Sequence, residues 1–480
     1  MKKHSDKRSI CIGLTAAMLA LGLIGGCTFG PDYERPEMSV PTTFRAQLTP
    51  VEAASFADLP WWSAFTDPTL QSLISEAVAN NYDVQIAVAR IEQARAALGV
   101  VSSESVPQLN YGAGVGGGRG LVQSQDSVSA VTAGTITGGL NAAWEIDLWG
   151  RIRRSTEAAR ANLLAQEDVR QGVMLSLVTD VANGYSRLLE LDRELAIANE
   201  STRAFKGSFD LFTARFEAGR DSKLSVHRSQ ANYDESRARA ADLKRQIAQQ
   251  ENALSILLGS YPKSIPRGRG LAEQTLPATP LGASSDLLQR RPDILAAEQN
   301  MITANAEIGV AIANFFPRIG LSAFVGAEGI TFSGTTSAFG LWSAGLAASG
   351  PIFNGGRLKS EYEGRQAFWD ENVAQYRKTV LTAFQEVSDA LAAQQHLVER
   401  RAALEAQVAD LKSSVDLALS RYDGGRATYF EVLEAQQQLF PAQDALAQTQ
   451  RDQLVAVVNL YKALGGGWKL TPEEWKQARH

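Results

Sequence analysis

The sequence predicts a mainly α protein with a β membrane part, built by duplicating one unit of helix, β-hairpin, long helix and returning helix. Three observations predict it. Landmark residues recur at a constant offset along the 480-residue chain. Two long tracts, 151–216 and 357–421, keep helical periodicity and contain no proline. Four short segments alternate apolar and polar residues as β-strands do.

The chain opens with an address. Lys2, Lys3, Lys7 and Arg8 precede an apolar run over 9–26 that ends in Leu23-Ile24-Gly25-Gly26-Cys27. A charged start, an apolar stretch and small residues are the parts of a secretory signal over 1–26. The small residues before Cys27 resemble a bacterial lipobox, in which the cysteine is acylated and becomes the new amino terminus. The alternative is an uncleaved anchor with an incidental cysteine. Cleavage takes the formal charge from −5 to −8 and leaves Cys27 as the sole cysteine, since the only other is Cys11. Thr28 follows, not an aspartate that would retain a lipoprotein at the inner membrane.

The repeat comes next. Gly150-Arg151 recurs at Gly356-Arg357, Phe216-Glu217-Ala218-Gly219 at Tyr422-Asp423-Gly424-Gly425, and Leu258-Gly259 at Leu464-Gly465, all at an offset of 206. Upstream, Asp83 and Pro107 meet Asp293 and Pro317 at 210. A constant offset over this length signals duplication. The copies span 67–260 and 286–465. Segments 27–66, 261–285 and 466–480 break the periodicity and read as wrapping or linking segments.

Within the first copy, 67–104 has helical period, with Asp67-Pro68 as its start signal. The equivalent helix of the second copy begins near Pro292. Strand alternation follows over 108–116, in Leu109, Tyr111, Ala113 and Val115, and over 135–148, in Ile136, Leu140, Ala142, Trp144, Ile146 and Leu148. The second copy repeats it in Ile319, Leu321, Ala323 and Val325, then Trp342, Ala344, Leu346, Ala348 and Ile352. The hairpins thus lie at about 107–149 and 317–353, with 117–134 and 328–338 read as loops. This is the two-faced pattern of a transmembrane strand; a soluble hairpin packed on a helix is the alternative. Residues 112–117 match a nucleotide-loop pattern, but no helix follows, so the match carries no chemistry.

Each long tract would extend roughly 98 Å at ~1.5 Å per residue. That is over three times a bilayer core, and the tracts are too polar for lipid, so they project into water. Each ends at a glycine, Gly219 or Gly424-Gly425, before a second helix returns. Pro441 is expected to bend or loosen the second return helix.

Composition excludes much else. Lys+Arg number 47 against 52 Asp+Glu, which argues against a nucleic-acid partner. The four histidines are scattered, and no metal, nucleotide or serine-nucleophile motif is present, so neither an enzyme nor a cofactor is expected. Four strands cannot close a barrel, and open sheet edges are not tolerated in lipid. Two chains would make a tight eight-stranded barrel; three make twelve. A wide barrel continued by a ring of long helices is a conduit. The rival class is a non-conducting coiled-coil lipoprotein scaffold.

Several local motifs converge on one family: Gly26-Cys27-Thr28-Phe29-Gly30-Pro31-Asp32-Tyr33; Trp61-Trp62 with Phe65 and Asp67-Pro68; Trp144-Glu145-Ile146-Asp147-Leu148-Trp149-Gly150-Arg151; Arg290-Arg291-Pro292-Asp293-Ile294; and Phe316-Pro317. Over essentially the whole mature chain the sequence resembles the TolC-like outer-membrane factors, in the OprM/NodT-type lipoprotein branch serving RND efflux systems. The resemblance implies a homotrimer with a 12-stranded β-barrel continued by a periplasmic α-helical barrel. It further implies an outer-membrane, lipid-anchored duct that passively conducts drugs or other small molecules. The implied partners are a periplasmic adaptor (a membrane fusion protein), an inner-membrane RND pump and outer-membrane lipid. An exit duct for type I protein secretion is the rival within the family.

The resemblance also points to acids just after the second tip as the periplasmic constriction; here these are Glu431 and Glu434. The 206 offset maps them onto Ser225 and Arg228, so the copies differ in sign at equivalent positions. Arg228, Glu431 and Glu434 are therefore the candidate gate, with Arg228 expected to pair with an acid of a neighbouring tip helix. Gly219, Gly424 and Gly425 form the adaptor-facing tips. The alternative is a solvated helix face.

Overall fold

The computed structural model describes residues 28–41, 43–45, 65–123, 128–276, 279, 287–332 and 335–466. The signal segment, Cys27, Trp61-Trp62 and the tail beyond 466 lie outside the described residues. The chain divides into two compact units, one of 1–37, 90–166 and 296–376, the other of 38–89, 167–295 and 377–480.

The elements repeat as the sequence does. Helices α1 (Pro68–Asn80) and α2 (Tyr82–Ser103) lead to strands β1 (Gln108–Gln123) and β2 (Val128–Ile146). Helices α3 (Arg151–Glu217) and α4 (Lys223–Leu257) complete the first copy. The second copy runs through α5 (Leu287–Arg290), α6 (Pro292–Ala313), β3 (Arg318–Phe332), β4 (Thr335–Ser349), α7 (Arg357–Asp423) and α8 (Tyr429–Ala463). α3 and α7 each have 67 residues, and α4 and α8 each have 35. Glycines at positive φ recur at the 206 offset in Gly150 and Gly356, Gly219 and Gly425, and Gly259 and Gly465. α8 runs through Pro441 without an assigned break.

The helical stretch read as continuous over 67–104 breaks at Asn81, which is extended (φ −63°, ψ 133°). Its side-chain oxygen accepts from the N–H groups of Asp83 (2.8 Å) and Val84 (3.2 Å), capping α2. Its Nδ2 donates to the carbonyl of Leu257 (3.0 Å) at the end of α4. The duplicated break falls at Arg291. There a buried guanidinium donates to the carbonyl of Ala463 (3.0 Å) at the end of α8, and to Asp293 (2.7 Å) and Glu386 (2.6 Å). The two copies thus tie off the return helix at the same point with different side chains.

In the first unit the four strands form one antiparallel sheet in the order β1-β2-β3-β4. Its outward residues align in rows: Tyr111 opposes Leu140, Leu140 opposes Val325, and Val325 opposes Trp342. All four are exposed. The strands outrun the sequence reading, which placed loops at 117–134 and 328–338. β1 continues to Gln123, β2 starts at Val128, β3 reaches Phe332 and β4 starts at Thr335. Gly116-Gly117-Gly118-Arg119-Gly120 carries no apolar alternation, so the pattern is silent there. Its backbone is paired nonetheless, Gly117 with Gly134 and Arg119 with Thr132, which satisfies the peptide groups whatever the side chains. An apolar band of ~25 Å needs only part of each strand. No helix among the described residues is long and apolar enough to cross a membrane.

The strand-to-helix junction of the first copy is strongly held. Asp147 accepts from the N–H groups of Ile152 (3.1 Å) and Arg153 (2.9 Å) and caps α3. Arg151 pairs with Glu145 (2.9 Å) and Glu104 (2.8 Å). Phe29, Trp149 and Phe316 stack at centroid separations of 4.6–5.8 Å. Arg154 is only 4% exposed; it donates to the carbonyls of Phe29, Gly30 and Pro31 and pairs with Asp32 at 3.1 Å. The residues after Cys27 are thereby fastened to the base of the sheet, which accounts for the Thr28–Tyr33 and Trp144–Arg151 motifs.

In the second unit Asp67 is the polar anchor. It caps α1 through the Thr69 N–H (2.9 Å) and accepts from Tyr185 (3.2 Å), the Arg269 N–H (3.3 Å) and Gln274 (2.8 Å). Burial opposes its charge, yet these bonds hold its carboxyl below the usual carboxylate range. Around it pack Leu73, Ile74, Val181, Leu188, Leu254, Leu460 and, from the linker, Ile265 and Leu271. Further along the long helices each hairpin has its own apolar seam. Leu191 and Ala198 meet Ala240 and Leu243 in the first; Val408 and Val415 meet Leu439 and Ala442 in the second. Many contacts between the hairpins are polar. Asn232 accepts from Gln437 (3.3 Å), Arg239 pairs with Asp444, and Glu194 accepts from Gln448 (3.0 Å). Glu190, wholly buried, pairs with Arg187 (2.6 Å) and Arg451 (3.3 Å).

Burial pushes the Asp444 carboxyl up to about 6; Arg239 opposes the rise, Glu194 adds to it and Arg193 opposes it. A raised acid favours the folded state most below its unfolded value near 3.8, and that advantage is lost as pH rises through about 6. Asp444→Asn should therefore gain on the parent in melting temperature as pH climbs from 4 to 6, with a plateau above 7. The pH-dependent part amounts to at most roughly 3 kcal/mol. Thermal unfolding of both proteins across this range checks it; a difference that does not change with pH contradicts it.

Candidate gate at the helical tips

The two tips are built alike. At the end of α3 the Gly219 N–H donates to Phe216 (2.9 Å) and the Arg220 N–H to Arg215 (2.8 Å). At the end of α7 the Gly425 N–H donates to Tyr422 (2.9 Å) and the Arg426 N–H to Arg421 (2.8 Å). This is the Schellman closure, which needs a left-handed residue after the helix. Gly219 has φ +69° and Gly425 φ +67°, a region that costs other residues about 1–2 kcal/mol. Gly424 has no such φ, and its N–H continues the helical pattern to Ser420 (3.1 Å). Gly219 and Gly425 are thus demanded by the turn; Gly424 is not.

The return helices are capped differently. Ser222 Oγ accepts from the Ser225 N–H (3.3 Å) to start α4. Asp221, half-buried, is held below the usual carboxylate range by Ser225 and the Ser222 N–H. On α8 the Glu431 carboxylate accepts from the Thr428 N–H (3.3 Å), half of a capping box. Its other oxygen lies 3.7 Å from Arg421 Nη2 on α7.

The candidate gate residues fall in one region but are not joined into one network. Arg228 lines a cleft of about 370 Å³ between the tips, with Phe212, Arg215, Ser225, Tyr422 and Phe430 among its walls. Its guanidinium lies 5.6 Å from the centre of the Phe430 ring. Within one chain its partner is therefore an aromatic face, not the acid expected from the sequence. No ion pair among the described residues joins Arg228 to Glu431 or Glu434. Glu434 is exposed on α8.

Sequence reasoning missed what links the first tip to the second. Tyr429 at the start of α8 meets the rings of Phe212 on α3 and Tyr422 on α7, both at 5.0 Å, and its hydroxyl bonds to Ser208. Arg215 lies over Tyr422 at 5.1 Å, and burial raises the Tyr429 hydroxyl above its ordinary value. The available signal was Phe205, Phe209, Phe212 and Phe216, spaced four, three and four along the end of α3. That spacing reads equally well as ordinary coiled-coil core.

Comparison with known proteins places these features in a family. Residues 73–260 and 283–466, close to the two copies, each match the outer membrane efflux protein family. The Escherichia coli O157:H7 cation efflux system protein CusC is 33% identical over 456 residues, covering 94% of this chain and 98% of that one. The Pseudomonas putida solvent efflux pump outer membrane protein SrpC is 37% identical, covering 95% and 98%. The solved structure of the outer-membrane channel OprN superposes with a TM-score of 0.83 at 31% identity, covering 92% of this chain and all of that one. With both copies matched, and the fold shared from sheet to tips, the chain belongs to the outer membrane efflux protein family and has its TolC-like fold.

Proposed function

We propose that three copies of this chain form the outer-membrane exit duct of a tripartite RND-type efflux system. The duct passively conducts drugs or other small molecules handed on by an inner-membrane pump and a periplasmic adaptor. The observation that carries this reading is the four-stranded sheet with two open edges and an apolar outer face, joined in each copy to a long helical hairpin. Such a sheet is complete in lipid only when closed with others. The relatives support a role in efflux, since one is a cation efflux protein and one a solvent efflux pump component.

Cys27 is the lipid anchor in this reading, and the Arg154 clamp supports it by fixing the residues that follow the cysteine. Mass spectrometry of the amino-terminal peptide should find an acylated Cys27 at the mature terminus; an unmodified Cys27 still preceded by 1–26 contradicts it.

The resting duct is closed at its periplasmic end by the tips, with Arg228, Glu431 and Glu434 setting the closed state and Gly219, Gly424 and Gly425 presenting the tip surface to the adaptor. Arg228 links α4 to α8 through Phe430, a contact worth about 0.5–2 kcal/mol. Threefold symmetry would set six carboxylates from Glu431 and Glu434 around one axis, a ring favouring cations. Planar-bilayer recordings test both parts. Arg228→Ala should raise open probability roughly 3- to 30-fold. Glu431→Gln with Glu434→Gln should reduce cation preference while keeping the α8 cap, since glutamine can also close a capping box. If both variants conduct like the parent, these residues are a solvated helix face and the gate lies elsewhere.

A further inference from the structure

We propose that the cleft between the first helical hairpin and α8 is a binding site for an amphipathic organic cation, an aromatic body bearing protonated amino groups, with Asp444 as its charge partner. The site lies within one chain, in the second unit, and stands whether or not three copies close a barrel.

Three helices build the cleft. α3 gives Ile197 and Phe205, α4 gives Ala238 and Arg239, and α8 gives Phe440 and Asp444. They surround about 470 Å³, within the roughly 300–1,000 Å³ of small-molecule sites. Phe205 and Phe440 meet edge to face at a centroid separation of 5.8 Å, and Phe440 is only half-buried. With Ile197 they form an apolar wall, and a ring face also attracts a cation. Pro441 has no N–H for the Gln437 carbonyl one turn back, which leaves an acceptor on the same face of α8.

The polar end of the site is Asp444. At the 206 offset it duplicates Ala238, and both residues line this cleft. The first copy therefore builds the same helix with an alanine, so the helix itself does not require an acid here. Asp444 is 5% exposed. Its Oδ2 accepts from Arg239, while its Oδ1 has no hydrogen-bond partner among the described residues. A buried carboxylate with one oxygen unmet is costly, and burial has already pushed this one up to about 6. A protonated amine brings the missing donor and the opposite charge together. Charge in the cleft selects the same sign. Asp242 is taken up by Arg245 at 2.6 Å, which leaves Asp444 and Glu235 against Arg239 alone. An anion would face two carboxylates, and a neutral apolar molecule would leave Oδ1 unmet. A cation seated here touches α3 and α4 of one hairpin and α8 of the other, and so bridges them.

Binding of proflavine, a flat aromatic cation with amino N–H donors, tests the site. The full protein, purified in dodecyl maltoside, should take up one proflavine per chain saturably by fluorescence anisotropy. Asp444→Asn should weaken binding at least tenfold, the loss expected for a hydrogen bond to a charged group. Phe440→Ala should weaken it roughly 3- to 30-fold. Ala238→Trp fills the cleft from an exposed position and leaves Asp444 in place; it should abolish binding. Anthracene-9-carboxylate, of similar size and opposite charge, should bind at least tenfold more weakly than proflavine. Native mass spectrometry establishes that each variant assembles as the parent does. Uptake that never saturates overturns the site, as does equal binding of the anthracene carboxylate. Parent-like affinity in Asp444→Asn or in Ala238→Trp, with assembly intact, overturns it too.

Discussion

The unpaired edges of the sheet are the constraint on which the rest depends. β1 and β4 each present a row of peptide N–H and C=O groups with no partner strand among the described residues. In water such an edge is a hazard; in hydrocarbon each unmet group costs several kcal/mol. The apolar rows that cross all four strands suit the sheet to lipid, and lipid makes closure obligatory. Closure by copies of the same sheet then dictates symmetry, and symmetry dictates that the long helices following each hairpin also form a ring. The helices are too long and too polar to remain in the membrane, so the ring becomes a tube in water.

The second consequence lies in how the helical hairpins are joined. Each is closed by its own apolar seam, Leu191 and Leu243 in one, Val415 and Leu439 in the other. Between the hairpins lie Asn232 with Gln437, Arg239 with Asp444 and Glu194 with Gln448, and near the tips the rings of Phe212, Tyr422 and Tyr429. Apolar burial is costly to undo, whereas polar partners exchange for water at little net cost. Beyond the apolar core that Leu188, Leu254, Val387 and Leu460 share, the hairpins are thus joined to each other by a more polar contact than the seam within each.

Much of this was legible in the sequence because duplication is written in punctuation. The glycines at 150, 219 and 259 recur where the backbone needs positive φ, and helix ends read from periodicity alone fall within two residues of Glu217 and Asp423. What escaped depends on partners distant in sequence. The strands through Gly116–Gly120 are held by backbone pairing that leaves no mark in side-chain pattern. The break at Asn81 escaped because its cap to Asp83 and Val84 lies within an apolar-periodic run, and the tie that fixes the break, from its Nδ2 to the Leu257 carbonyl, is distant in sequence. At the tips, the positions of Arg228 and Glu431 were legible, but not their contacts. Arg228 lies on Phe430, and Glu431 is occupied with the α8 cap and Arg421.

Closure of the sheet by neighbouring copies is the central claim, and residue-resolved hydrogen–deuterium exchange of the assembled protein in lipid addresses it most directly. In β1 and β4 alternate amides point away from the chain's own sheet. With both edges paired, those amides should exchange as slowly as their counterparts in β2 and β3, which have partners on both sides. Exchange within seconds along the outer edges of β1 and β4, while β2 and β3 stay protected, would show that the edges are open and that the duct is not closed in this way.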